Sequence, residues 1–364
     1  MKRILYIVPL PPPVHGHSVM CKYVLDNKLI NDEFIVDAIN LHTSRSMAEM
    51  DKKPLLKICR MLRALFRTFI LLIRNKYEFV YIALTCHGGG LLKDMSFIYL
   101  CKLFHCKIVF HQHNQGVRHD MDRAPYKWIY PSLYGNVKVI LLSWNLYDDI
   151  SRYVKKEDVY ICPNGIPTIE DSIVQVKNEV PHIFFLSNLL VEKGVYVLMD
   201  ALAILKKKGL PFVCDFVGCE TAEINKYQFD EYSASVGIED RVIYHGPKFG
   251  NDKELYWNMA DIFVLPTLNE CYPLVLIEAM QHSLPCIASD EGAISDIINN
   301  NETGLVFAKG DAKQLADCLE KILVDPALGK QLGMRGFERY KEELTIQKFN
   351  YNIYNIFNQI VNNG

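Results

Sequence analysis

The 364-residue sequence has no C-x-x-C pair, no fixed-period repeat, no low-complexity tract and almost no net charge, at -2. It also lacks any apolar run near the roughly 20 residues that a spanning helix requires. The longest apolar stretch, around Leu65 to Ile73, is interrupted by Arg67 and stopped by Arg74. Its 11 cysteines have no metal-ligand spacing and several lie inside apolar runs, so they read as small buried hydrophobes in a reducing compartment. There is no G-x-G-x-x-G after the first apolar run and no G-x4-G-K-[ST], which argues against nicotinamide and P-loop chemistry. Near-neutral charge removes any whole-molecule attraction to nucleic acid or an anionic membrane, so such attraction must be local. The first residues, MKRILYIVPLPPP, imitate a signal peptide, but the run is short and ends in four prolines within five residues. A buried first strand is expected there.

What is present is a soluble-protein composition, 50% hydrophobic and 23% charged, over a length that suits two domains. Short β-rich runs alternate with longer helical patterns, which predicts α/β architecture with parallel sheets covered on both faces. The spacing places strands near 3–8, 34–38, 79–84, 107–112, 137–142 and 158–162. A second series follows near 182–187, 212–217, 241–245, 262–266, 285–289 and 305–307. The turn cluster Pro163-Asn164-Gly165-Ile166-Pro167 and the polar stretch after it separate the two series. The expected domains are 1–170 and 171–345, with an amphipathic C-terminal helix over 346–364 that can pack on either domain or cross back to the first.

The segment Asp261-Ile-Phe-Val-Leu-Pro-Thr-Leu-Asn-Glu270-Cys-Tyr272-Pro273-Leu274-Val275-Leu-Ile-Glu278-Ala-Met280 carries the most chemistry. A strand ends near Pro266, a loop bears Glu270, and Pro273 suits the first turn of a helix because its missing N–H costs nothing there. The amides of Leu274 and Val275 then form an anion site, with Glu278 one turn further along the same face. A carboxylate beside a phosphate site is repulsive unless it grips neutral hydroxyls of the same ligand, and ribose offers such a diol.

This Glu-x7-Glu pattern, with Gly292, Gly304 and Asp311 downstream, resembles the retaining family 4 glycosyltransferases of the GT-B fold. The resemblance implies two Rossmann-like domains with parallel sheets facing across a cleft. It implies that Glu278 binds the nucleotide ribose and Glu270 the donor sugar, with Tyr272 beside them. It also covers Phe185-Leu-Ser-Asn188-Leu-Leu-Val-Glu-Lys193-Gly194, where the Lys takes up leaving-group charge. The family carries Gly-Arg where this chain has Ser187-Asn188, so one cation is missing, and Lys248 is a candidate substitute. In the N-terminal loop Pro11-Pro12-Pro13-Val14-His15-Gly16-His17 only Gly16 of a Gly-Gly pair is kept. In Ile108-Val-Phe-His111-Gln-His113, the family's cleft histidine aligns with His113, with His111 as the fallback.

The implied activity is metal-independent transfer, with retention, from a nucleotide sugar, UDP-linked by expectation, to a glycan or lipid-linked acceptor in bacterial surface polysaccharide assembly. The donor's own phosphate oxygen helps to deprotonate the acceptor, and no cofactor and no nucleic acid are expected. The alternatives are a nucleotide-sugar epimerase of the same fold and a catalytically silent nucleotide-sugar binder. Two other features invite a metal reading: the pairs His15/His17 and His111/His113, and Asp120-Met-Asp122. That reading is set aside, because the resemblance supplies backbone dipoles and a Lys instead. Finally, 52–76 holds eight basic residues and no acidic one. Lys57, Arg60, Arg63, Arg67 and Arg74 share about a third of a helix circumference. That face suits an anionic leaflet, with the apolar face packed on the domain, in a cytoplasmic protein peripheral to the plasma membrane's inner face. A plain solvated helix face is the alternative.

Overall fold

The structure, a computed structural model, describes residues 1–12, 15–41, 54–169 and 176–362. Two six-stranded sheets, both wholly parallel, account for all twelve strands expected from the apolar runs. The first contains β1 (Lys2–Val8), β2 (Phe34–Asn40), β3 (Phe79–Leu84), β4 (Ile108–Gln112), β5 (Val137–Leu141) and β6 (Val159–Ile161) in the order β2-β1-β3-β4-β5-β6. The second contains β7 (His182–Leu186), β8 (Val213–Val217), β9 (Val242–Tyr244), β10 (Ile262–Leu265), β11 (Cys286–Ser289) and β12 (Leu305–Phe307) in the order β12-β11-β10-β7-β8-β9. Counted from its own first strand, the second sheet has the doubly wound order 3-2-1-4-5-6. Central strands such as Phe79–Leu84 are buried at every position, as a strand covered by helices on both faces must be.

The chain divides into two units by its contacts. Unit 1 comprises Met1–Asn164 with Ile346–Gly364, and unit 2 comprises Gly165–Thr345. The outgoing and returning segments run side by side, with the Ile166 N–H donating to Leu344 O at 3.0 Å. The helix Ile346–Asn362 belongs to unit 1. Its Phe357 ring meets Phe79 and Tyr81 at 5.0 and 5.4 Å, and the Asn27 side chain donates to Asn350 O. Burying that aromatic face contributes about 25 cal/mol for each Å² of apolar surface removed from water.

In each doubly wound sheet the chain reverses its winding direction once, and the crevice at the strands' C-terminal ends opens there. In unit 1 that point lies between β1 and β3. In unit 2 it lies between β7 and β10. The segments carrying most of the candidate site residues follow β1 and β4 in unit 1, and β7 and β10 in unit 2.

The helix Pro54–Arg74 departs from expectation. Its buried pole is Thr68 and Leu72, whereas Leu55, Ile58, Leu62, Phe66 and Ile73 are between 51% and 78% exposed. Much of the apolar face expected to pack on the domain therefore faces outward, because the packing line runs through Thr68 and Leu72 rather than through the stripe's centre. The flanking Arg63, Arg67 and Arg74 are exposed as well. Lys52 and Lys53 lie outside the described residues.

Candidate functional site

In unit 2 the turn after β7 is stitched to the turn after β10. The Leu268 N–H donates to Glu192 O at 2.7 Å, and Asn269 Nδ2 donates to Glu192 Oε2 at 3.1 Å. Gly194 makes this approach feasible. It sits at φ +75°, and a Cβ there would fall 1.8 Å from Pro266 O. The turn delivers Lys193 Nζ to 2.8 Å from Glu270 Oε2 and 3.2 Å from Asn269 O. A cation and a carboxylate from two different loops thus meet, half-buried, at the sheet's switch point. Gly292 backs the same loop, since at φ +57° a Cβ would lie 2.2 Å from Glu270 O.

The helix after this loop is Leu274–Gln281. Pro273 occupies the N-cap with extended backbone, φ -73° and ψ 115°, one position earlier than the first-turn reading, and no side chain caps the helix. The Leu274 and Val275 amides, at the first two helical positions, have no intrahelical acceptor and carry the positive end of the helix dipole. Tyr272 is 6% exposed beside them. One turn on, Glu278 Oε2 accepts from Lys253 Nζ at 2.8 Å.

Lys253 is absent from the sequence reading. Its helix, Asn251–Met259, is docked by His282, which bonds Glu254 at 3.0 Å and stacks on Trp257 at 5.2 Å. Only that docking brings residue 253 to residue 278. Lys248, the candidate substitute cation, lies over the Tyr256 ring at 6.0 Å. Asn188 Oδ1 accepts from the Cys219 N–H at 3.3 Å, joining the turns after β7 and β8. Asp311 caps the helix Ala312–Val324 by accepting from the Lys313 and Gln314 amides.

Unit 1 gathers three imidazoles. His15 caps the helix Gly16–Leu25 in a reciprocal box with Ser18, and this sets Gly16 at the first helical position and His17 at the second. The His17 ring stacks on His113 at 4.8 Å, and His113 lies 4.1 Å from His111. His111 is fully buried within β4, with Nδ1 2.6 Å from Tyr81 Oη. His113, just beyond the strand end, is half-buried with its Nε2 enclosed. Burial, then the neighbouring His17, pushes His111 down to about 3; burial, then His111, holds His113 well below the usual imidazole range. Both are neutral near pH 7, suited to hydrogen bonding rather than to carrying charge. Sequence reasoning also passed over Gly88-Gly89-Gly90, which opens the helix Gly88–Leu103 directly after β3. Three glycines at a strand-to-helix turn were the available signal. The carboxylates of Asp120 and Asp122 pair with Arg123 and Arg152 at 3.3 and 2.7 Å.

The depressed His111 pKa has a defined stability consequence. The unfolded chain takes up its imidazole proton near pH 6.5 and the folded chain does not until about pH 3, so stability is full above 6.5 and falls as pH drops through that window. Between pH 7.5 and pH 5 this one group should cost about 2 kcal/mol. Urea titrations of the wild type and His111→Asn check it: the variant should show a smaller loss, and an equal loss in both would refute the assignment.

Residues 167–339 match the family described as glycosyl transferases group 1. The match is to that segment, which holds β7 to β12 and the Lys193, Glu270 and Glu278 side chains. The chain is 26% identical over 179 residues to the capsular polysaccharide biosynthesis glycosyltransferase CapM of Staphylococcus aureus, covering 49% of this chain and 46% of that protein. It is 28% identical over 224 residues to the amylovoran biosynthesis glycosyltransferase AmsK of Erwinia amylovora, covering 59% and 54%. The chain thus spans about half the length of these curated relatives. Among solved structures, sucrose-phosphate synthase from Thermosynechococcus elongatus superposes with a TM-score of 0.78 at 19% identity, over all of both chains. Anabaena Alr3699/HepE in complex with UDP-glucose superposes at 0.74 and 14% identity, over 99% of this chain and 100% of that one. At such identities the likeness concerns the fold, which is GT-B.

Proposed function

We propose that the protein transfers a sugar from a UDP-sugar to a glycan or lipid-linked acceptor, with retained configuration and without a metal, in surface polysaccharide synthesis. The observation that carries the reading is the pair of Lys–Glu contacts, Lys193–Glu270 and Lys253–Glu278, flanking an uncapped helix N-terminus at the switch point of the second sheet. Such an arrangement offers hydroxyl acceptors and anion donors alternately, as a nucleoside diphosphate sugar requires. Glu278 accepts from the ribose diol, the Leu274 and Val275 amides hold the diphosphate, and Glu270 accepts from the sugar, with Tyr272 closing the pocket floor.

Lys193 neutralises the departing phosphate, and Lys253 supplies the second cation that Asn188 does not bring. His113, kept neutral, hydrogen-bonds the sugar, and Gly16 leaves room for backbone contact. The UDP assignment is supported by the UDP-glucose complex named for Alr3699/HepE, and the polysaccharide assignment by the names of CapM and AmsK. Residues 52–76 are assigned to an anionic membrane surface, on the exposure of Leu55, Ile58, Leu62, Phe66 and Ile73 with Arg63, Arg67 and Arg74 along the helix Pro54–Arg74.

The reading is tested by incubating the protein with a panel of nucleotide sugars and of glycan and lipid-linked acceptors in EDTA. Acceptor-dependent UDP release that persists in EDTA is expected. Turnover of the donor alone would mark an epimerase. Activity lost in EDTA and restored by Mg²⁺ or Mn²⁺ would overturn the metal-independent mechanism and return attention to Asp120 and Asp122.

A further inference from the structure

The N-terminal edge of the first sheet, opposite the candidate site, carries an open basin of about 1240 Å³. Its walls come from the entry of β1, the approaches to β3 and β4, and the ends of the helices Pro54–Arg74 and Gly88–Leu103. Five cationic side chains line it, Lys2, Arg3, Arg74, Lys76 and Lys107, against one carboxylate, Glu78. Arg3 is committed to Asp37 at 3.3 Å, with Tyr77 on the same oxygen. Among the described residues no ion pair engages Lys2, Arg74, Lys76 or Lys107. Helix C-termini favour nearby cations, which accounts for Arg74 and Lys76. It does not account for Lys2 and Lys107, which stand at strand entries.

The basin is continuous with the exposed stripe of the helix Pro54–Arg74, because Ile73 and Arg74 belong to both. Along that helix Leu55, Ile58, Leu62, Phe66, Phe69 and Ile73 recur at spacings of three and four, every one exposed, with Arg63 and Arg67 alongside. The helix is about 31 Å long. It connects parallel strands and therefore runs back from the site edge of the sheet to the basin edge. With no acidic residue on the helix, a second copy would set arginines against arginines, so the charge favours an apolar and anionic occupant.

We propose that the basin binds the phosphate-bearing head group of an anionic lipid while the exposed stripe enters the acyl layer. This rests on reading 52–76 as membrane-facing, and extends it to Lys2, Lys76 and Lys107, outside or at the end of that segment. The contact lies about 20 Å from the site edge, the length of β1 at roughly 3.3 Å per residue. It is therefore an anchor and not the acceptor subsite.

Sedimentation with phosphatidylglycerol-rich vesicles, and with phosphatidylcholine vesicles as control, tests it. Wild type should bind only the anionic vesicles. Lys76→Gln/Lys107→Gln should weaken that binding about 25-fold, about fivefold for each charge, with unchanged thermal melting. Leu62→Ser/Phe66→Ser should also weaken it. Release by the stripe variant with no effect of the basin variant overturns the basin while leaving the membrane reading intact. No anionic binding by wild type overturns both. Displacement from vesicles by millimolar inorganic phosphate would mark a free-phosphate site and overturn the lipid assignment.

Discussion

Lys193→Ala should lower kcat for sugar transfer by about 10² to 10³ while changing the donor KM far less. The side chain pairs with Glu270 at 2.8 Å, and it sits at the switch point where the turns after β7 and β10 meet. Charge accumulates on the diphosphate as the glycosidic bond breaks, so an ammonium fixed there interacts more strongly with the transition state than with the bound donor. Removing one preorganised partner of developing charge costs about 10² to 10³ in kcat. The fold should survive, because Gly194 and the Glu192 contacts hold the turn without the Lys193 side chain. Glu270, 23% exposed, can be hydrated once its partner is gone. Steady-state rates at saturating donor decide the matter: a kcat within about threefold of wild type would remove Lys193 from the reacting centre.

The strands were legible because parallel strands covered on both faces must be apolar at nearly every position. Phe79–Leu84 and Ile262–Leu265 show this directly. The helix start at residue 274 was legible to within one residue, since Pro273 constrains it. Which side of an amphipathic helix is covered was not. In Pro54–Arg74 the periodicity locates an apolar stripe, but the docking line through Thr68 and Leu72 depends on where β2 and the helix Gly88–Leu103 leave room. Nor was Lys253 visible opposite Glu278. The two are 25 positions apart on separate helices, and their contact follows from the part-buried His282–Glu254 bond and the Trp257 stack. The imidazole stack is of the same kind: adjacent histidine pairs are plain in the sequence, but the meeting of His17 with His113 requires the ends of β1 and β4 to be in place.

The ribose assignment of Glu278 makes the second large prediction. Replacing this residue by Ala removes a charged acceptor from the ribose diol and should weaken UDP binding by about 1 to 3 kcal/mol, roughly 5- to 150-fold in Kd. The substitution also frees the Lys253 ammonium, which by itself attracts a diphosphate. A net loss despite that freed charge therefore points to the hydroxyl contact. The most direct measurement is a calorimetric cycle, titrating UDP and 2′-deoxy-UDP into wild type and Glu278→Ala in the presence of EDTA. The account predicts that wild type binds UDP more tightly than its deoxy analogue and that the variant binds both equally weakly. Equal affinity of wild type for the two nucleotides, or undiminished UDP binding by Glu278→Ala, would contradict it.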